Sequence, residues 1–347
     1  MANKGRITLR DVAAEAGVSV TTASFVLNDQ NYAIAERTQL RVREVASRLG
    51  YRPHSSARAL ATGRTQRLGV VLSSPGVLVS PGAYHAKLLF GIMAAAPKLN
   101  YNLILHAANY PDWRCLYGDI TSGVADGVML IGRNFDDELT AALLDIHFPT
   151  VCVSYKSQHP SCIAVDCDHR SGIALAVDHL KKLGHTRLGF LLDDYSDVRS
   201  WDEERLAAFH SCTEGTGLKG STYRVPVDYG DCPGSNEFLR SLLLNSRTET
   251  ALIVGSEVLA RHVQQVALEC GVNIPLDLSI ISINSTEVSE NAVVPITSLW
   301  QPLNEIGAAA VTVLNDIIMS DGRSEHQMLF DMRLDIRKSC GPALVRR

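Results

Sequence analysis

Beyond residue 66 the sequence takes turns between short apolar runs and stretches of helical periodicity. The runs at 68–72, 102–106, 127–131, 150–153, 187–191, 251–254 and 279–283 read as strands. The stretches 84–99, 136–145, 171–183, 203–214, 235–244, 257–270 and 303–319 read as helices. Such alternation forces parallel pairing. A parallel neighbour is reached only by a crossover, and the crossover helices then cover both faces of the sheet. The number of strands suits two doubly wound lobes better than one. Ligands in such folds sit at the carboxyl ends of strands, and a cleft between two lobes is the natural site.

The first 66 residues do not share this pattern. They carry ten basic and five acidic side chains, a net +5, while the remainder carries −9. The chain total of −4 hides that division. The total argues against a nucleic-acid partner, but the basic head argues for one. Leu9, Val12, Ala13 and Ala16 recur at helical spacing after Thr8, which reads as an N-cap. Gly17 stands where a short turn needs a positive φ. Ser19 caps a second helix running to about Asn28, with Ala23, Val26 and Leu27 inward and Val20, Thr21, Ser24, Phe25 and Asn28 outward. A third helix at about 36–49 supplies Leu40, Val42, Val45, Ala46 and Leu49 to a small core and keeps Arg37, Arg41, Arg43 and Arg48 wet. Two short helices joined by a glycine turn form a helix-turn-helix, whose second helix enters the DNA major groove. Gly50-Tyr51-Arg52-Pro53 ends the third helix, and 55–60 forms a short helical stretch. That linker is poorly suited to pack a core alone but suited to order on DNA with an apolar wedge in the minor groove.

Several segments then carry a resemblance. Thr8-Leu9-Arg10-Asp11-Val12-Ala13, Ala16-Gly17-Val18-Ser19, Val26-Leu27-Asn28, Leu49-Gly50-Tyr51-Arg52-Pro53 and Ala57-Arg58-Ala59-Leu60 stand in the order and spacing of the head and hinge of the lactose-repressor/galactose-repressor (LacI/GalR-type) family. Asp126-Gly127-Val128-Met129-Leu130, Leu183-Gly184-His185-Thr186-Arg187, Arg205-Leu206-Ala207-Ala208-Phe209, Gly271-Val272-Asn273-Ile274-Pro275, Thr297-Ser298-Leu299, Gln301-Pro302 and Arg337 extend the likeness through the body. The resemblance implies an all-α helix-turn-helix head with a hinge helix, followed by an α/β periplasmic-binding-protein-like body of two doubly wound lobes. It implies a homodimer on a pseudo-palindromic double-stranded operator, contacted through Thr8, Ser19, Val20, Thr21, Thr22, Ser24, Phe25, Asn28, Thr38, His54, Ala57 and Leu60. Leu60 takes the place of the hinge leucine that wedges into the minor groove. Phe25 stands where the family usually has an arginine able to grip guanine, Ala23 replaces a bulkier residue, and His54 replaces an asparagine.

For the small-molecule effector, a sugar or related metabolite, the resemblance points to Arg205 as an arginine fork and to Tyr84 and His85 as an aromatic face. It adds Ser256 and Glu257, where the family often has asparagine-aspartate, and Asn284, where it usually has aspartate; Ser154 and Trp300 are weaker candidates. An amide at Asn284 adds donors to a place otherwise held by an acceptor-only carboxylate. The division expected is a head at 1–53, a hinge helix and linker at 54–66, a first lobe at 67–154 plus 293–325, and a second lobe at 155–292 plus 326–340, with crossings near 154–163, 284–293 and 320–330.

Other chemistries find little support. Gly215-Thr216-Gly217-Leu218-Lys219-Gly220 fits GxGxxG but follows a helix, so it reads as a turn. Asp166, Asp168 and His169 read as a strand end capping a helix rather than a metal site, and Asp193-Asp194 as a polar loop. No nucleophile elbow, kinase or hydrolase constellation or metal-ligand cluster is visible, so no enzyme, metal or cofactor is expected. The eight cysteines form no CxxC pair and read as buried reduced thiols. No secretory pattern precedes Lys4 and Arg6, and no segment reads as a membrane span, which suggests a cytoplasmic protein, nucleoid-associated when on DNA. The tail after Cys340 has no leucine heptad, favouring a plain dimer. The expected function is a ligand-responsive transcriptional regulator, read as a repressor. The alternative is a solute-binding or sugar-sensing protein of the same two-lobe fold that does not act on DNA.

Overall fold

The computed structural model describes residues 7–28, 33–52, 59, 62–72, 83–107, 110–131, 137–194, 200–226, 233–245, 249–320 and 327–343. The chain forms two compact units. One is Met1–Gln66 with Gly123–Ala125; the other is Arg67–Ser122 with Asp126–Arg347. Among the described residues no helix is long and apolar enough to cross a membrane.

In the first unit, α1 (Leu9–Ala16), α2 (Val20–Leu27) and α3 (Glu36–Leu49) enclose a core of Val12, Ala13, Ala16, Ala23, Val26, Val42, Val45 and Ala46. Gly17 ends α1 at φ 62°, a left-handed conformation that costs glycine little, and its N–H reaches back to Ala13 and Ala14 carbonyls. The expectation for Leu40 was wrong: it is 61% exposed. Val42, Val45, Ala46 and Leu49 follow the i, i+3, i+4, i+7 stripe, and Leu40, two positions before Val42, falls about 200° away on the opposite face. Arg37, Arg41, Arg43 and Arg48 are all exposed. Arg48 pairs with Glu15 at 2.7 Å and links α3 to α1; with both side chains half in water this adds at most about 1 kcal/mol.

The second unit contains two six-stranded sheets. The first runs β11-β5-β4-β3-β1-β2, with β1 Arg67–Leu72, β2 Asn102–His106, β3 Gly127–Ile131, β4 Thr150–Val153, β5 Ala164–Cys167 and β11 Met328–Phe330, all parallel. The second runs β12-β10-β9-β8-β6-β7, with β6 Arg187–Asp194, β7 Lys219–Pro226, β8 Ala251–Val254, β9 Ser279–Ile283, β10 Thr297–Trp300 and β12 Arg333–Asp335. Only β12, an antiparallel edge against β10, departs from parallel pairing there. Helices α4 (Tyr84–Ala95), α5 (Trp113–Ile120), α6 (Asp137–Asp145) and α12 (Leu303–Met319) belong to the first lobe, and α7 (His169–Lys182), α8 (Ser200–Thr213), α9 (Pro233–Asn245), α10 (Glu257–Glu269) and α11 (Glu287–Glu290) to the second. One layer of buried apolar side chains, including Leu68, Met129, Phe190, Phe209 and Leu299, runs through both lobes.

The lobe boundaries differ from expectation. Strand pairing puts β5 in the first sheet beside β4, so the chain does not cross at 154–163; it crosses after Cys167. Strands β9 and β10 pair, so it does not cross at 284–293; it crosses after Trp300, where α12 packs on α4, β3 and β4. The third crossing lies at 331–332, just past the expected stretch, between β11 and β12. The missed strands explain the error. Ala164–Cys167 is interrupted by Asp166, and Thr297–Trp300 opens on two hydroxyl residues. Thr297 and Ser298 are nevertheless wholly buried, because Ser298 Oγ bonds Ser282 Oγ at 2.7 Å and Thr297 Oγ1 accepts from Arg337 N at 3.0 Å. Asp193 and Asp194 extend strand β6 rather than forming a loop. The GxGxxG stretch joins helix α8 to strand β7, with Gly215 and Gly217 at positive φ, as a turn should.

Candidate functional site

The head's second helix is held at its start by side chains. Thr8 and Asp11 form a reciprocal capping box on α1: Thr8 N donates to Asp11 Oδ2 at 2.8 Å and Asp11 N to Thr8 Oγ1 at 3.4 Å. Ser19 Oγ accepts from Thr22 N at 3.0 Å and lies 2.8 Å from Thr22 Oγ1. Val20 and Thr21 stand exposed on α2, while Thr22, Ser24, Phe25 and Asn28 are half-buried. Phe25 is therefore less open than expected. Asn28 Nδ2 donates to Ser24 Oγ at 3.2 Å and fixes the helix end. Thr38 lies half-buried in the first turn of α3. His54, Ala57 and Leu60 lie outside the described residues.

The body gathers charge where the chain first crosses between its lobes. Asp166, at 7% exposure on β5, lies 3.4 Å from His169 Nε2 on the first turn of α7. Arg205 Nε on α8 donates to His169 Nδ1 at 3.3 Å, and its Nη1 lies 4.0 Å from Asp202 Oδ1. Asp202, Arg205 and His169 are all nearly sealed from water. Tyr84, opening α4, points into the same place. Burial and the Asp166 carboxylate push its phenol up, while the Ser154 hydroxyl and the Arg205 guanidinium act against them. Ser154 follows β4 at φ 53°, buried, and its Oγ is near Tyr84 but outside hydrogen-bonding geometry; it has no partner among the described residues. Buried hydroxyls are normally satisfied, so an unpartnered one leaves a donor and acceptor that a polar ligand could use. His85 packs edge-on against Tyr84 with ring centroids 5.1 Å apart.

The remaining candidates divide. Asn284, at φ 72° after β9, accepts from Gln301 Nε2 at 2.7 Å, and the buried Gln301 Oε1 has no partner among the described residues. Trp300 lies under the Arg333 guanidinium, 3.7 Å from the ring centroid. Ser256 caps α10 by accepting from Leu259 N at 3.1 Å. Glu257 is 1% exposed and takes Thr286 N, Thr286 Oγ1 and Ser289 Oγ at 3.0, 2.7 and 2.8 Å. Glu257 thereby ties α10 to α11 within the second lobe, while Ser256 serves its own helix. Asp168 caps α7, as the sequence suggested, through Ser171 N at 3.0 Å. Asp166, His169 and Asp202 were not singled out as site residues; the available signal was an acid inside an apolar strand with a histidine three positions later. Among the described residues no group of three or more His, Cys, Asp or Glu is placed to hold a metal ion.

Residues 8–54 match the family described as bacterial regulatory proteins, lacI family, and residues 177–340 a periplasmic binding protein-like domain. Catabolite control protein A of Priestia megaterium is 28% identical over 335 residues, covering 96% of this chain and 99% of that protein. The lac repressor dimer bound to operator and the anti-inducer ONPF superposes with a TM-score of 0.80 at 22% identity, covering 97% of this chain and 99% of that one. A transcriptional regulator CelR–cellobiose complex gives 0.72 at 23% identity, covering 96% and 100%.

Proposed function

The chain belongs to the lacI family of bacterial regulatory proteins, and we propose that it binds a pseudo-palindromic operator as a homodimer whose hold on DNA is set by a polar metabolite in the body. It is a ligand-responsive, DNA-binding transcriptional regulator and not an enzyme. The observation that carries the ligand half is the set of buried Ser154, Asp166, His169 and Arg205 with the partly buried Tyr84, drawn from both lobes at one crossing. A ligand with hydroxyl groups suits the orphaned Ser154 and Gln301 oxygens, and the arginine fork suits a diol or carboxylate. Closing on such a ligand shifts one lobe against the other, and by linkage DNA must change ligand affinity by the same factor. The alternative, a binding protein without a DNA role, has no use for a capped second helix with Val20 and Thr21 outward beside an arginine-rich third helix.

On DNA, Val20, Thr21 and Phe25 would meet base edges, and Ser19 and Thr22 the phosphates. Phe25 cannot donate to a base but can cover a thymine methyl. Phe25→Arg is expected to shift preference at one position of each half-site toward guanine by about 1–3 kcal/mol, read by competition titration with single-base operator variants. An unchanged order of preference removes Phe25 from the base-reading surface.

Two copies would meet through the outer face of α4, where Phe90 and Met93 are each 63% exposed one helical turn apart. The double replacement Phe90→Asp with Met93→Asp is expected to halve the mass seen by sedimentation equilibrium. A dimer that persists unchanged contradicts that surface.

A further inference from the structure

Two thiols ten residues apart in sequence meet beside the first lobe's apolar layer. Cys152 on β4 and Cys162, just ahead of β5, have their sulfurs 3.5 Å apart. The backbone holds them there, because Cys152 N donates to Ile163 O at 3.0 Å and Cys152 pairs in register with Ala164. Cys152 is 1% exposed and inaccessible, whereas Cys162 is only partly covered. The expectation of buried thiols holds in part: among the seven described cysteines two are buried, four are intermediate and Cys115 is exposed.

We propose that Cys152 and Cys162 form an oxidisable dithiol, with hydrogen peroxide as the class of oxidant and an intrachain disulfide as the product. The pair has the division of labour this needs. The hydrogen bond with Cys152 and a backbone hydrogen bond from Ser157 lower the Cys162 thiol, with a smaller contribution from Lys156, against its partial burial and the Asp137 carboxylate, which raise it. Cys115, Cys167, Cys212 and Cys340 are all pushed the other way. The Cys162 thiolate attacks one peroxide oxygen; the O–O bond breaks, leaving a sulfenic acid and, after one proton is taken up, water. The Cys152 sulfur then attacks the Cys162 sulfur, the S–O bond breaks, and the departing hydroxide takes the Cys152 proton as a second water. Two thiols lose two electrons and two protons, and one peroxide becomes two waters. The sulfurs need to approach by about 1.5 Å to reach disulfide length. The bond would close the loop carrying Ser154, which lies beside Tyr84, and Tyr155 and Ser157, whose hydroxyls both bond Asp137. The dithiol stands on this geometry whether or not the body binds a ligand.

Lys156 lies between the two cysteines, so trypsin separates them onto peptides 134–156 and 157–170. The full-length protein is treated with one equivalent of hydrogen peroxide, blocked with N-ethylmaleimide and digested without reductant. The expected result is a covalent pair of these peptides that dithiothreitol dissolves, with two fewer maleimide-reactive thiols per chain. Cys162→Ser should abolish the pair, and Cys167→Ser, on the same peptide as Cys162, should retain it. Should a variant fail to fold, fragmentation of the wild-type pair locates the bond directly. Recovery of both peptides as maleimide adducts, of Cys162 as a sulfinic acid, or of a bond mapped to Cys167 overturns the proposal.

Discussion

Arg205→Ala should cost the body about 3 kcal/mol and remove its response to ligand, because it withdraws a guanidinium from a site nearly closed to water. Arg205 is 6% exposed, and the side chains it serves, Asp202, His169 and, through the imidazole, Asp166, are just as enclosed. The alanine variant leaves Asp202 without its guanidinium and His169 without its Nε–H donor, and removing one partner of a buried pair costs more than the pair itself contributes. Arg205→Lys keeps the charge but loses the Nε–H that holds His169, so it should fall between the two. Urea unfolding followed on the full chain measures both. A loss within about 0.5 kcal/mol for the alanine variant, the size of an ordinary surface change, contradicts a buried role for Arg205.

Gly307→Ala should destabilise the first lobe, although helix propensity alone favours alanine by about 1 kcal/mol. The Cα of Gly307 on α12 packs so close to α4 that an added Cβ would lie 2.2 Å from Leu88 O and 3.1 Å from Ile92 N. On the facing helix, a Cβ on Gly91 would lie 2.0 Å from Asn304 O. Backbone cannot yield as a side-chain tip does, so the helices must separate, and overpacking of this kind costs about 1–3 kcal/mol or more. Steric conflict therefore outweighs propensity. Gly118, exposed within α5 with open space around it, is the control: Gly118→Ala should stabilise by about 0.5–1 kcal/mol. Opposite signs for the two substitutions in urea midpoints are the expected result, and a stabilising Gly307→Ala would rule out the close helix pair.

What the sequence disclosed divides along physical lines. Caps and turns are local, so Thr8, Gly17, Ser19 and Gly50 announce the head's three helices without knowledge of the rest. Continuous apolar runs such as 127–131 announce central strands, because both faces of the sheet are covered. Strands β5, β7 and β10 escaped because polar residues interrupt them, and some of those polar groups find partners far along the chain, as Thr297 Oγ1 does at Arg337 N. The lobe boundaries failed with them, since a crossing is defined by which strands pair. The candidate site was half visible. Arg205, Tyr84 and Ser154 came from resemblance and do come together, whereas Asp166 and His169 looked like an ordinary helix start. Ser256 and Glu257 occupy a strand end, as a binding residue would, but their hydrogen bonds turn inward. The Cys152–Cys162 pair leaves no motif in the sequence, because parallel-strand register brings the thiols together.

The DNA-reading head and the proposed pairing of two chains are both addressed by one selection experiment. The purified full-length protein is used to enrich DNA from a random-sequence pool, and the bound fraction is sequenced. The expected result is a single enriched motif made of two half-sites related by inverted symmetry, bound with a strong inverse dependence on salt as the basic head displaces counterions. A pool that shows no enrichment, or a motif with one unrepeated half-site, would contradict a dimeric operator-binding regulator.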